Sequence, residues 1–343
     1  MKLLWLDLNS SYAHSSLALP ALHAQIADDT TIEWCIVSAT INENTGMVVS
    51  RIHKHRLDII AATNWLFNHE QLLHIISRAK ALLPHCCIVL GGPEFLGNNE
   101  AFLYKNKFVS GVFRGEGEEV FPQWLKVWNH SKETWKSITG LCYLDENGRY
   151  QDNGIARVMN FSQLVSPEKS CFFNWSKPFV QLETTRGCFN TCAFCVSGGE
   201  KPVRTIPLEA IRERLNDIHQ HGIKNVRVLD RTFNYNNKRA KELLDLFRQY
   251  PDICFHLEIH PALLSEELKQ ELSVLPKGLL HLEAGIQSLK ESVLQQSHRI
   301  GKLSDALEGL KYLCSLKNME THADLIAGLP LYHLSEIFED VRT

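Results

Sequence analysis

Thr185-Arg186-Gly187-Cys188-Phe189-Asn190-Thr191-Cys192-Ala193-Phe194-Cys195 puts three thiols on one short loop with the spacing C-x3-C-x2-C. The loop follows Phe179 to Glu183, an apolar run that reads as a β-strand, and loops at the carboxyl ends of parallel strands are where β/α folds hold ligands. Thiolates are soft donors that suit zinc or an iron–sulfur cluster. A structural zinc site takes four ligands, commonly as two C-x2-C pairs, and the chain has no second pair. Three ligands on a four-iron cubane leave one iron open to chelate a small molecule. Cys188, Cys192 and Cys195 are therefore the expected metal ligands. The remaining cysteines, Cys35, Cys86, Cys87, Cys142, Cys171, Cys254 and Cys314, are scattered, mostly on apolar strands, and read as small buried hydrophobes.

Downstream of the loop the chain alternates between helix and strand periodicities. Helices are expected at Pro207 to His221, Asn237 to Tyr250, Ser265 to Leu275 and Leu303 to Leu316, and strands at Asn225 to Leu229, Ile253 to Glu258, Leu279 to Ala284 and Thr321 to Ile326. With the first strand this makes five strand and helix pairs, the last helix beginning near Ser335, and the pattern is that of a β/α barrel or part of one. Upstream, strands at Leu3 to Leu8, Thr31 to Val37, Asp58 to Thr63, Cys86 to Leu90 and Val109 to Phe113 alternate with helices at Ser16 to Ile26 and Gln71 to Leu83. Repeated β-α-β units imply a parallel, doubly wound sheet. Its fourth strand runs into Gly91-Gly92-Pro93-Glu94 and its last into Arg114-Gly115-Glu116-Gly117-Glu118. Between about 126 and 178 the alternation stops, and Leu141 to Leu144 with Asn147-Gly148 reads as a hairpin. The expected organisation is a doubly wound, flavodoxin-like domain over 1–126, a linker with a hairpin over 127–178, and a partial (β/α) barrel over 179–343.

Composition excludes several classes. The 343 residues are 44% hydrophobic and 22% charged, enough apolar material for roughly two domains, and the net charge of -3 gives no global attraction to nucleic acid. No apolar run approaches the roughly 18 residues that span a bilayer, and Asp7 interrupts the apolar amino terminus with no cleavage site after it. Ten cysteines are too sparse for a disulfide scaffold. The expected setting is a reducing compartment, the cytoplasm.

The cysteine loop resembles that of the radical S-adenosylmethionine (SAM) enzymes, and the resemblance runs on through the strands that follow. It implies a four-iron four-sulfur (4Fe-4S) cluster on Cys188, Cys192 and Cys195, with S-adenosylmethionine as cofactor. Phe194, before the third cysteine, would pack near the adenine. Leu229-Asp230-Arg231-Thr232-Phe233-Asn234 occupies the segment that receives the methionyl amino group, without the usual glycine pair, and Asp230 is the residue placed there. Glu258, then Gln287 and Ser288 of Gly285-Ile286-Gln287-Ser288, would line the nucleoside and methionine, and Gly328 of Gly328-Leu329-Pro330 the adenine side.

The first region is similar to the cobalamin (B12)-binding domain of a large branch of the same superfamily. Gly91 and Gly92 would let backbone approach a bulky ligand, Glu116 lies in the last strand's loop, and Asn9, Ser10 and Ser11 could hydrogen-bond the corrin's amide arms. Asn64 and Trp65 could face the same ligand or cap the next helix. The family's histidine motif for cobalt, D-x-H-x-x-G, is absent: Asp7 to His14 has the wrong spacing, so no protein ligand on cobalt is expected.

The resemblance implies an enzyme that cleaves S-adenosylmethionine reductively to methionine and a 5′-deoxyadenosyl radical, then abstracts hydrogen from an unreactive carbon, with methyl transfer where cobalamin carries the methyl group. An external electron donor such as flavodoxin or ferredoxin is the expected partner, and the substrate is not readable from sequence. A tRNA methylthiotransferase would share the loop but bring three further cysteines in its first domain, where Cys35, Cys86 and Cys87 are poorly arranged. A cofactor-binding sensor without turnover is the other alternative. It follows from counting strands: the sequence stops after the fifth, one short of a complete domain of this type, so an open partial barrel is expected.

Overall fold

The computed structural model of the protein describes every residue except Ser15, Gly199 and Thr343. The chain divides into two units, Met1–Lys177 and Pro178–Thr343, each described by itself.

The first unit contains strands β1 (Lys2–Asn9), β2 (Glu33–Thr40), β3 (Ile59–Thr63), β4 (Cys87–Gly91), β5 (Gly111–Phe113), β6 (Leu141–Leu144) and β7 (Tyr150–Asp152), with helices α1 (Ala18–Ala24), α2 (Thr45–His53), α3 (His69–Leu82), α4 (Glu100–Lys105) and α5 (Val120–Leu125). Among the described residues the strands form one sheet in the order β2-β1-β3-β4-β5-β6-β7. The first five run parallel and the last two antiparallel. The 2-1-3-4-5 order is that of a flavodoxin-like fold, with its topological switch between β1 and β3.

Both faces of this sheet are apolar because β1 and β3 are apolar at odd and even positions alike. Leu4, Leu6 and Leu8 pack with Ile60, Ile88 and Leu90 beneath Val48 and Ile52 of α2 and Leu72, Ile75 and Ile76 of α3. Leu3, Trp5, Ile59 and Val89 pack on the other side with Leu19 of α1 and Phe121 and Trp124 of α5. Each such side chain stabilises the fold by about 1.5–3 kcal/mol. Helix α2, absent from the sequence reading, is set by Asn44, whose side-chain oxygen accepts from the amides of Gly46 (2.9 Å) and Met47 (3.2 Å).

Residues 127–178 differ from the linker expected. Strands β6 and β7 extend the first sheet, and Trp135 and Tyr143 are buried in its second core. The Trp135 ring lies 5.7 Å from Trp124 and 5.3 Å from Tyr143, in edge-to-face contacts. The hairpin turn is as read: Gly148 has φ +74°, and Asp145 accepts from the Asn147 and Arg149 amides.

The second unit contains β8 (Val180–Leu182), a short antiparallel ribbon of β9 (Thr185–Arg186) and β10 (Arg204–Thr205), then α6 (Leu208–Gln220), β11 (Asn225–Val228), α7 (Asn237–Phe247), β12 (Cys254–Ile259), α8 (Glu266–Ser273), β13 (Leu280–Gln287), α9 (Glu291–Gln296), α10 (Leu303–Ser315), β14 (Glu320–Leu325) and α11 (Leu334–Arg342). Strands β8, β11, β12, β13 and β14 form a parallel sheet in chain order, as successive β/α units produce. Along β12 and β13 burial alternates strictly. Phe255, Leu257, Leu280, Leu282 and Ala284 are fully buried, with Phe247 of α7 stacked 4.0 Å from Phe255. The alternate positions are His256, Glu258, His281, Glu283, Gly285 and Gln287, so the sheet's other face is polar. Among the described residues no helix is long and apolar enough to cross a membrane.

Candidate functional site

The cysteine loop leaves the end of β8 through the ribbon and is fastened at several points. Gly187 takes φ +91°, and a Cβ there would sit 2.5 Å from the Glu200 carbonyl oxygen, so only glycine fits. The Cys188 amide donates to that same oxygen at 2.9 Å. Buried Asn190 accepts from the amides of Thr191 (3.1 Å) and Ile300 (3.2 Å), and the Ala193 amide donates to the Ser297 carbonyl at 3.0 Å. The turn that follows α9 thus braces the loop.

Cys188 and Cys192 are buried and Cys195 is exposed. Burial pushes the Cys192 thiol up, and the Arg299 guanidinium, 4.0 Å from its sulfur, opposes that shift. The same guanidinium donates to the Gly285 carbonyl at 2.5 Å, tying the loop to the end of β13. Three thiolates are one ligand short of a structural zinc site and match a cubane cluster that keeps one iron open, so the donor set suits an iron–sulfur cluster.

The remaining expected residues of the second unit fall into two groups. Asp230 is 1% exposed and both its oxygens are engaged. One accepts from the amides of Thr184 (2.8 Å) and Thr185 (2.9 Å), and the other from the Thr184 hydroxyl. Its carboxylate locks the entrance to the cysteine loop, and desolvation raises its pKa against those bonds. Ser288, fully buried, donates to Asp340 of α11 at 3.4 Å and accepts from the Lys290 amide.

Phe194, in contrast, is 36% exposed in the turn between Cys192 and Cys195. Glu258 lies on the polar face, where burial and the neighbouring Glu283 push its carboxyl up to about 7. Gln287 has φ +72° at a register shift between β13 and β14, and its side-chain oxygen is buried without a partner. A non-glycine residue in that region costs energy and is typical of functional sites. Gly328, at φ +86°, has open space where a Cβ would stand.

In the first unit the expected residues gather at the carboxyl ends of β1, β3, β4 and β5. Asn9 donates to Asp7 at 2.8 Å, and Ser11 bonds the His14 ring at 2.8 Å with Ser10 at 3.4 Å. Asn64, beside the switch point, is fully buried, bonds His69, and has a side-chain oxygen with no partner. The glycine pair divides its work: Gly92, at φ +110°, would drive a Cβ to 2.5 Å from the Asn64 carbonyl, whereas Gly91 would meet nothing nearer than 3.9 Å. Gly92 is therefore required by protein backbone. Glu116 accepts from the Val158 amide at 2.7 Å and holds the 156–158 segment. Cys86 and Cys87 lie at the opposite, amino end of β4, and burial pushes the Cys86 thiol up to about 12, so neither is placed as a cluster ligand.

Two features escaped the sequence reading. Tyr12 (76% exposed) follows β1, and Leu66 (83%) and Phe67 (46%) follow β3, with Trp65 and Phe67 stacked at 6.3 Å. On the polar face of the second sheet, His256, Glu283 and His322 converge. The signal for the latter was a repeated alternation, F-H-L-E-I, L-H-L-E-A and E-T-H-A-D, on three consecutive strands.

Fold and loop together define a two-unit α/β protein with a three-thiol loop at the strand ends of a β/α sheet. The second unit is a radical SAM domain: residues 182–342 match the profile of the radical SAM superfamily. An uncharacterised methyltransferase of Pyrococcus horikoshii is 25% identical over 82% of this chain and 62% of its own length. The radical S-adenosylmethionine methyltransferase TsrM of Kitasatospora setae superposes with a TM-score of 0.77 at 16% identity, over 99% of this chain and 70% of its own. OxsB, a cobalamin-dependent S-adenosylmethionine radical enzyme solved with aqua-cobalamin and S-adenosylmethionine bound, superposes at 0.78 and 16%, over 99% of this chain and 51% of its own. At those identities the likeness is one of fold. The chain thus spans less than two thirds of the length of the curated P. horikoshii relative.

Proposed function

We propose that this chain is a cobalamin-dependent radical SAM enzyme, organised as a corrin-binding first domain and a SAM-cleaving second domain, that performs methyl transfer or a related radical modification of an unreactive carbon. The observation that carries this is the C-x3-C-x2-C loop of Cys188, Cys192 and Cys195 within the residues that match the radical SAM profile. A 4Fe-4S cluster held there, once reduced by an external donor, would supply the electron for reductive cleavage of S-adenosylmethionine.

Cys188, Cys192 and Cys195 hold that cluster, and Arg299 steadies the Cys192 thiolate. Phe194 covers the adenine, while Glu258, Gln287 and Gly328 border the nucleoside and methionine. The unpartnered oxygen of Gln287 is ready to accept from a ligand donor. Asp230 and Ser288, whose polar atoms are taken up inside the protein, act as positioning residues.

In the first domain the switch point between β1 and β3 receives the corrin. Asn9, Ser10 and Ser11 offer bonds to its amide arms, the buried Asn64 shapes the loop beneath, and the apolar Trp65–Phe67 surface offers area to a large ring. Gly91 leaves room for close approach, while Gly92 and Glu116 shape the neighbouring loops. No protein histidine would be expected on cobalt, because the D-x-H-x-x-G spacing is missing between Asp7 and His14. A reducing cytoplasm and a one-electron donor of the flavodoxin or ferredoxin type complete the reading.

The test is anaerobic reconstitution of the chain with iron and sulfide, then incubation with S-adenosylmethionine, reductant and hydroxocobalamin. About four irons per chain are expected, with 5′-deoxyadenosine released and corrin retained through desalting. Cys192→Ala should lose both iron and cleavage. Full iron content in Cys192→Ala, or stoichiometric zinc in place of iron in the wild-type loop, overturns the proposal. Loss of corrin alone leaves the radical SAM assignment standing and removes the cobalamin part.

A further inference from the structure

The three strands that carry the polar face bring six ionisable side chains onto neighbouring rungs. Register pairs His256 with His281, Glu258 with Glu283, Glu283 with His322 and Gly285 with Asp324 across β12, β13 and β14. The His256 ring nitrogen Nε2 is 2.8 Å from Glu283 Oε2, and His322 Nε2 is 3.6 Å from the same oxygen. One ligand atom from each of these three residues lies within 4.8 Å of the other two, and among the described residues no other group of three does so. Ligands on a tetrahedral ion with bonds of about 2.0–2.1 Å stand roughly 3.3 Å apart, so small side-chain adjustments suffice to admit one.

The surroundings also suit an ion. His281 Nε2 lies 2.9 Å from His322 Nδ1, and this bond fixes the His322 ring so that Nε2 is the nitrogen turned toward Glu283. Asp324 stands beside Glu283 and adds a second carboxyl group to the cluster. The His256, Glu283 and His322 side chains are half-buried, at 15%, 27% and 42% exposure, so an ion can reach them while three protein ligands leave positions open to water or a substrate donor. The donors are two imidazoles and a carboxylate, a borderline set distinct from the thiolates of the cysteine loop.

We propose that His256, Glu283 and His322 form a second metal site, binding one divalent transition ion of the zinc or iron(II) class on the polar face of the second sheet. Its existence does not depend on the cofactor of the cysteine loop. The site presents a Lewis acid with at least one exchangeable position to an oxygen- or nitrogen-bearing ligand.

The experiment is to load the cluster-reconstituted full chain with zinc sulfate, desalt it, and count zinc and iron together. About one zinc per chain beyond the iron is expected, as for a three-ligand site. Glu283→Gln and His322→Ala should each lose that zinc with iron content and circular dichroism unchanged, and His281→Ala should weaken it about 10–100-fold. Cobalt(II) in place of zinc should give d–d absorption without a thiolate charge-transfer band. Absence of bound zinc in the wild type, equal zinc in folded Glu283→Gln, or a thiolate band that survives in His322→Ala would each overturn the site.

Discussion

Each of the two sheets has five parallel, helix-backed strands, yet they treat their faces differently. In the first, odd and even residues of β1 and β3 are equally apolar, and both faces are sealed by helices. The polar and glycine residues Asn9, Asn64 and Gly91 lie at or just past its strand ends. In the second, β12 and β13 bury every other residue and turn histidines and glutamates to the opposite side. That sheet offers chemistry along its strands as well as at their ends. A sheet sealed on both faces leaves only its rim for polar groups, whereas one with a polar face presents them along its length.

The sharpest way to break this contrast is to truncate one side chain on each sheet. Ile60, fully buried among Leu4, Leu6 and Ile88, should cost about 3–4 kcal/mol as Ile60→Ala. His281→Ala, on the polar face, should cost less than about 1 kcal/mol, because it removes no packed apolar surface. Urea denaturation of both variants measures this, and equal losses would mean that the polar face is packed like a core.

Next comes Asp230, which belongs to neither face. Asp230→Ala leaves the Thr184 and Thr185 amides and the Thr184 hydroxyl without partners in a buried place, at about 3 kcal/mol. It should also lower iron incorporation, because the cysteine loop starts there. Asp230→Ala with wild-type stability and iron content would show that the loop holds itself.

A smaller effect separates the two glycines at the first sheet's rim. Gly92→Ala needs φ +110° and places its Cβ 2.5 Å from the Asn64 carbonyl, so a loss of about 2 kcal/mol is expected. Gly91→Ala meets only ordinary contact at 3.9 Å and should leave stability within about 0.5 kcal/mol. Thermal unfolding of the pair decides whether the glycines serve the backbone or a ligand.

Much of this was legible. The C-x3-C-x2-C spacing and its position after a strand identified the loop, and the β-α-β rhythm announced both parallel sheets. What stayed hidden depends on contacts distant in the chain. Residues 127–178 read as a linker because Trp135 and Tyr143 reveal their place only when stacked near Trp124. Asp230 looked like a ligand residue because its partners lie 46 positions away. The left-handed φ of Gln287 cannot be inferred from a residue type that disfavours it. The histidine cluster was written in the alternation itself, but a half-buried strand shows the same period whether its polar side is solvent-facing or functional.

The last comparison is within the polar face, and pH exposes it. Glu258 has a carboxyl pushed up to about 7 by burial and by Glu283, against the attraction of Arg231, His256 and Arg227. In the unfolded chain it titrates near the ordinary glutamate value of about 4.3. Below that pH the group is protonated in both states and has no effect. Between there and pH 7 the native state holds the extra proton, so stability falls as pH rises and the full loss is reached above 7. The shift corresponds to about 4 kcal/mol at most, and partial solvent access brings the expected figure to about 1–2 kcal/mol. His260 works in the opposite direction, since burial holds its ring down to about 4 and stability rises with pH from there to about 6.5. The whole-protein profile mixes the two, so the difference between wild type and Glu258→Gln is the quantity to measure. The variant should match wild type at pH 4.5 and exceed it by about 1–2 kcal/mol at pH 8. Parallel stability curves across that range would mean that Glu258 is hydrated like a surface carboxylate, and that the polar face of the second sheet is open to bulk water at its strand ends.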